Sequence, residues 1–271
     1  MRDVIKKAGS AAFMVLGIVV VCVSAMVYIK EHQAETAEDE EEVLEETENE
    51  SDSGQQKVSG FAGESAEDAS IDFTMLQETN PDIFAWIHIP GTTIDYPVLQ
   101  SEQSDTFYES HNAYGEEDDT GAVYIELANL KSMCDFNTVF HGKTGPQENG
   151  LFADLYRFAD PDFFEEHEYV YLYLDGNVLT YEIFAAYERE NTSLIRTYDF
   201  TYLSGCQQFL SDLYATRDME MNLREGWENV NAYNFVLTLT TQKEENAERQ
   251  LVVLAVLTQD VAGTINRVVT E

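Results

Sequence analysis

The chain has 271 residues, with 51 Asp and Glu against 15 Lys and Arg and a formal net charge of −36. That length allows one or two domains. The charge excludes a nucleic-acid binder, which needs a basic footprint.

The N-terminal quarter does not read as globular. Ala8 to Ile29 is an uncharged, largely apolar run, long enough to span a ~30 Å hydrocarbon core as a helix. Arg2, Lys6 and Lys7 precede it and an acidic stretch follows. The positive-inside rule then puts residues 1–7 in the cytoplasm, a single anchor at 8–29 in the plasma membrane and the remainder outside. Val23-Ser24-Ala25 also offers the small residues a signal peptidase accepts, so a cleaved signal peptide is the rival reading. The run is long for an h-region of about 7 to 15 residues, which favours the anchor. Residues 30–70 are rich in Glu, Asp, Ser, Gly and Gln and lack apolar periodicity. Such a stretch cannot offset its own ordering entropy and reads as an acidic, self-repelling linker. Its charge holds it off anionic lipid and wall polymers.

From residue 71 the pattern becomes β-rich. Ala85 to Ile89, Ala122 to Ile125, Thr138 to His141, Tyr169 to Leu174, Val178 to Tyr187, Phe235 to Thr241 and Leu251 to Leu257 combine β-branched and aromatic residues between turn signals. Asp175-Gly176-Asn177 is a hairpin turn between two of them. Helical signals fall at Phe73 to Glu78, Leu151 to Phe158 and Phe200 to Tyr214, the last with one apolar stripe through Cys206, Phe209, Leu210 and Leu213. Many short strands with a few helices fit a small closed barrel. From Asp72 onward 35 Asp and Glu face 10 Lys and Arg, so the folded part is acidic too. The run Glu116-Glu117-Asp118-Asp119 lacks the spaced ligands of a Ca²⁺ loop and reads as a solvated loop. His32, His88, His111 and His167 are scattered. No metal-ligand spacing, cofactor motif or internal repeat stands out.

The segment NPDIFAWIHIPGTTIDYPVLQ, Asn80 to Gln100, resembles the opening strand of the class B sortases. These are membrane-anchored cysteine transpeptidases of Gram-positive cell walls. FYESHNAYGEEDDTGAVYIE, GLFADLYRFADPDFFEEHEYVYLY and LTYEIFAAYE continue the resemblance in order. It covers roughly residues 71–260, with 261–271 as a tail. The resemblance implies a mainly β fold: an eight-stranded sortase barrel with N-terminal helices packed on it and a long helix before the nucleophile strand.

The same resemblance locates three reactive positions, and none carries the family's residue. The family pattern Asn-Thr, two apolar residues, Tyr-Gly-His reads here Asn137-Thr138-Val139-Phe140-His141-Gly142-Lys143, which puts Lys143 at the histidine. The nucleophile strand Leu-Thr-Leu-Ser-Thr-Cys reads Leu237 to Gln242, which puts Gln242 at the cysteine. The arginine before the final strand falls on Gln250, with Arg249 one place earlier. A carboxamide cannot form an acyl-enzyme. Lysine, with an ordinary pKa of ~10.4, is a poor general base at neutral pH when exposed. Adjacent strand residues point to opposite faces, so Arg249 is aimed away from the groove. Thr240 shares a face with Gln242, and His141 with Lys143, which leaves a Thr/His pair as the substitute machinery. Cys134 precedes the NTVF strand and Cys206 sits in a helical stripe, neither at the end of the nucleophile strand.

Two readings follow. One is a pseudo-sortase, a non-catalytic surface protein whose groove binds a sorting peptide, a pilin or a partner sortase. The other is an active transpeptidase or hydrolase that anchors surface proteins with displaced residues. Fold alone does not choose between them.

Overall fold

The computed structural model describes residues 71–144, 150–216, 221–226, 229–242 and 246–270. The anchor and linker expected at 8–70 lie outside these residues. Among the described residues no helix is long and apolar enough to cross a membrane.

Nine strands form in chain order: β1 (Ile83–His88), β2 (Asp95–Leu99), β3 (Val123–Tyr124), β4 (Asn137–His141), β5 (Tyr169–Leu174), β6 (Asn177–Glu190), β7 (Asn222–Leu223), β8 (Val236–Thr241) and β9 (Arg249–Asp260). Their order is β5-β1-β2-β3-β4-β8-β9-β6-β7, and an additional β5–β6 pairing closes the first eight into a barrel. Closure removes the free edges that an open sheet would present. The two-residue β7 sits outside the ring, paired to Ala185 and Ala186 of β6. Two pairings are parallel, β2 with β3 and β4 with β8. The second of these sets the strand ends that lead into Lys143 and Gln242 side by side in the same direction.

Side-chain alternation builds two apolar layers. Ala85, Ile87, Phe140, Leu172, Ile183, Leu237, Leu239 and Val253 point into one interior cluster. Val139, Phe184, Val236, Val252 and Leu254, offset by one residue, face outward, and Phe136, just before β4, joins their cluster. That outer layer lies under the helix Leu203–Ala215, whose Cys206, Phe209, Leu210 and Leu213 belong to the same cluster. Strands covered on both faces read as near-continuous hydrophobic runs, as LVVLAVL in β9 does, while β8 buries Thr238, Thr240 and Thr241 among its apolar residues.

Three shorter helices complete the fold. Helix α1 (Phe73–Thr79) is capped by Asp72, which accepts from the Met75 N–H. Leu76 packs it beside Ile83, Leu99 and Tyr108. The resemblance implied several N-terminal helices; the described residues hold this one. Helix α2 (Pro161–Glu166) starts at the Asp160 cap with proline in its first turn, the position where the missing N–H costs nothing. Helix α3 is Leu194–Thr197, and the Leu203–Ala215 helix is α4. The helix expected over Leu151 to Phe158 is 3₁₀ and runs Ala153–Ala159.

Candidate functional site

The C-terminal ends of β4 and β8 open into a cleft of ≈ 620 Å³. Parallel pairing sets His141 beside Thr240, and the Gly142 N–H donates to the Thr240 carbonyl at 3.1 Å. Lys143 and Gln242 follow just past these strand ends, and both line the cleft. Gly142, just before Lys143, leaves no room for a side chain: a Cβ there would stand 2.6 Å from the Phe152 ring.

Gln250 comes from the start of β9 and lines the cleft with them. Its side-chain carbonyl accepts from the Thr240 hydroxyl at 2.6 Å. Its amide nitrogen donates to the Glu190 and Thr192 carbonyls at 3.3 and 3.1 Å. Both Thr240 and Gln250 are buried, so each bond satisfies a group with little access to water. Arg249 is absent from the lining. It donates instead to the Glu188 carbonyl at 3.1 Å and lies 3.7 Å from the Glu188 carboxylate.

Lys143 and Gln242 are each engaged. The Lys143 ammonium donates to the Asp119 carbonyl at 3.2 Å, tying the acidic loop to the cleft. The Gln242 carbonyl oxygen accepts from the Asn191 amide, which also donates to Ala247 O at 2.9 Å. A second buried pair, Thr144 and Thr241, joins the two strand ends through hydroxyls 2.8 Å apart.

Thr240 and His141 share a face without a hydrogen bond between them. The His141 ring stacks on Tyr124, centroids 5.1 Å apart. Its Nε2 lies 3.4 Å from a Glu126 carboxylate oxygen, within ion-pair reach but making no hydrogen bond of good geometry. This contact is the largest cause holding the Glu126 carboxyl below its ordinary value, against the opposing effect of burial. Burial pushes the Tyr124 phenol well above its ordinary range, and Glu109, which accepts from it at 3.0 Å, adds to the shift.

Sequence reasoning missed the opposite wall. Arg196 of α3 reaches over the cleft, 3.8 Å from Asp105 and 4.0 Å from Glu126. Asp105, Glu109, Tyr124 and Glu126 also line it; the last three lie in FYESHNAYGEEDDTGAVYIE, a segment that carried the resemblance without marking any of them as a site residue. Neither described cysteine reaches the cleft. Cys134 lies in a second cavity, and Cys206 is fully buried on α4, where desolvation raises its thiol above the ordinary value. Among the described residues no cluster of His, Cys, Asp and Glu could hold a metal.

No family model matches the chain. It is 35% identical over 130 residues to Sortase B of Listeria monocytogenes, covering 47% of this chain and 48% of that protein, about half its length. Against Sortase B of Staphylococcus aureus it is 26% identical over 204 residues, 74% of this chain and 80% of that one. The crystal structure of Clostridium perfringens Sortase B superposes with a TM-score of 0.60 at 28% identity, covering 69% of this chain and 99% of that one. A Streptococcus pyogenes class B sortase involved in pilus biogenesis gives 0.59 at 22% identity over 69% and 98%, which bears on fold alone. Closed barrel, strand order and sequence similarity converge: in fold and in sequence the chain is similar to the class B sortases.

Proposed function

We propose that this is a membrane-anchored, sortase-like protein of a Gram-positive cell surface whose transpeptidase machinery is disarmed and whose cleft binds an extended peptide without covalent chemistry. The observation that carries this reading is the buried Thr240–Gln250 hydrogen bond at the strand end, beside Gln242. An amide stands where covalent catalysis needs a thiol, and an amide has no nucleophilic electron pair of useful basicity. A second amide stands at the arginine position, and its carbonyl is already taken by the adjacent hydroxyl. Thr240 is a weak substitute nucleophile: its proton is committed to Gln250, and among the described residues no base accepts it. The polar groups that remain, Lys143, Gln242 and Arg196, are suited to peptide carbonyls or a carboxylate.

The reading is tested by incubating the chain with sorting-motif peptides and following cleavage by mass spectrometry. No cleavage is expected. Turnover abolished by changing Cys134 or Cys206 would overturn it. The anchor is tested separately with external protease on intact cells. Cutting within residues 31–70 and release of the folded part are expected; protection of that stretch would refute the orientation, and release without protease would indicate a cleaved signal peptide.

A further inference from the structure

Donors and acceptors are unevenly divided across the strand-end cleft. On the wall opposite the strand ends each carboxylate has a partner. Asp105 and Glu126 face the Arg196 guanidinium at 3.8 and 4.0 Å, Glu126 also lies 3.4 Å from His141 Nε2, and Glu109 accepts from the Tyr124 hydroxyl at 3.0 Å. The floor is closed as well. Thr240 donates to Gln250, Gln250 donates to the Glu190 and Thr192 carbonyls, and the Thr144 and Thr241 hydroxyls pair at 2.8 Å.

Lys143 and Gln242 are engaged only in part. Carried forward two residues, the His141–Thr240 register brings them alongside each other at the ends of the two parallel strands. The Gln242 carbonyl oxygen is turned to the Asn191 amide, which leaves the amino group as its free end among the described residues. The Lys143 ammonium, with three N–H donors, gives one to the Asp119 backbone carbonyl at 3.2 Å. Among the described residues the ion pairs of the cleft are those of His141 and Arg196, and none involves Lys143. The strand-end half of the cleft thus presents donors and a positive charge with no anion of its own. A carboxylate accepts only, and its two oxygens can take one bond each from an ammonium and a carboxamide amino group. Such charge-assisted bonds are roughly twice as strong as bonds to a neutral carbonyl. Lys143 therefore separates a carboxylate from the neutral carbonyls of a peptide backbone.

We propose that the cleft selects peptides by a carboxylate, a free C-terminus or an acidic side chain, held between the Lys143 ammonium and the Gln242 amino group. The proposal rests on the peptide-cleft reading and adds the charge class of the ligand to it. The chain's net charge of −36 repels an anionic peptide at long range, so the selection is made by this local pair.

The test is isothermal titration calorimetry of the full chain with the sorting-motif peptide, acetylated and with uncharged side chains, in three forms: the C-terminal amide, the C-terminal free acid, and the amide with one glutamate introduced. At low salt the free acid or the glutamate peptide, according to which source of carboxylate the pair accepts, should bind about tenfold more tightly than the neutral amide. Lys143→Met keeps the length of the stem and should remove that preference while leaving the affinity for the amide unchanged. Equal binding of all three forms would overturn the proposal and leave the peptide reading standing; binding by none would overturn both. A preference that survives Lys143→Met would also overturn it. Should Lys143→Met lose the neutral amide as well, Gln242→Glu decides. A second carboxylate beside the ligand's should then make the anionic peptides the weaker binders, and an unchanged preference for them would overturn the proposal.

Discussion

The Thr240 hydroxyl donates to the Gln250 side-chain carbonyl at 2.6 Å, and both residues are buried at the floor of the cleft. The bond depends on Gln250 presenting an acceptor, and an arginine there has none to offer. The two positions are therefore matched to each other as a neutral pair.

Thr240→Val keeps the shape and removes the donor. It leaves the Gln250 carbonyl buried and unpaired, which should cost about 1–3 kcal/mol. Thr240→Ser retains the hydroxyl and should recover most of that loss. Denaturant unfolding of both variants measures it; equal stabilities for Val and Ser would show that the bond contributes nothing.

Gly142→Ala brings a Cβ to 2.6 Å from the Phe152 ring. Overpacking of this kind typically costs about 1–3 kcal/mol. Adding Phe152→Leu opens space and should return part of it. A Gly142→Ala protein as stable as wild type would mean that the loop after β4 yields freely.

Glu126 gives a pH dependence with a definite sign. Its carboxyl is held below the ordinary value of 4.5, first by the close contact with the His141 ring at 3.4 Å and then by the charges of His141 and Arg196, with burial opposing. A carboxyl depressed on folding adds stability above its ordinary value and loses it as pH falls through the folded value. Glu126→Gln should therefore be less stable than wild type at neutral pH, with the gap narrowing below pH 4.5. Unfolding midpoints across pH measure the gap, and one that stays constant would contradict the assignment.

Where strands were long and alternating, the chain was legible. Tyr169–Leu174 forms as expected, and Asp175-Gly176 makes the turn into β6, with Gly176 at φ +75°. Strand β2 was not visible, because Pro97 interrupts its ladder and five residues give little pattern. Helix α2 was missed although Asp160-Pro161 is a proper start signal; six residues carry too little periodicity to register. At the site, the period of two separated Arg249 from Gln250, and the structure has only Gln250 lining the cleft. What could not be read was the wall opposite, since Arg196, Glu126 and Tyr124 are brought there by tertiary packing alone. Nor does spacing reveal that Lys143 is tied to Asp119 and Gln242 to Asn191.

The most direct measurement restores the family's residues together, Lys143→His, Gln242→Cys and Gln250→Arg, and follows the intact mass of the folded variant after incubation with a sorting-motif peptide. Parallel β4 and β8 already hold the first two positions side by side, and β9 supplies the third. The account predicts a covalent acyl-enzyme adduct on the introduced cysteine, absent from the wild-type chain. A folded triple variant that forms no adduct would contradict it, and would mean that the groove itself, beyond its three reactive positions, no longer fits such a peptide.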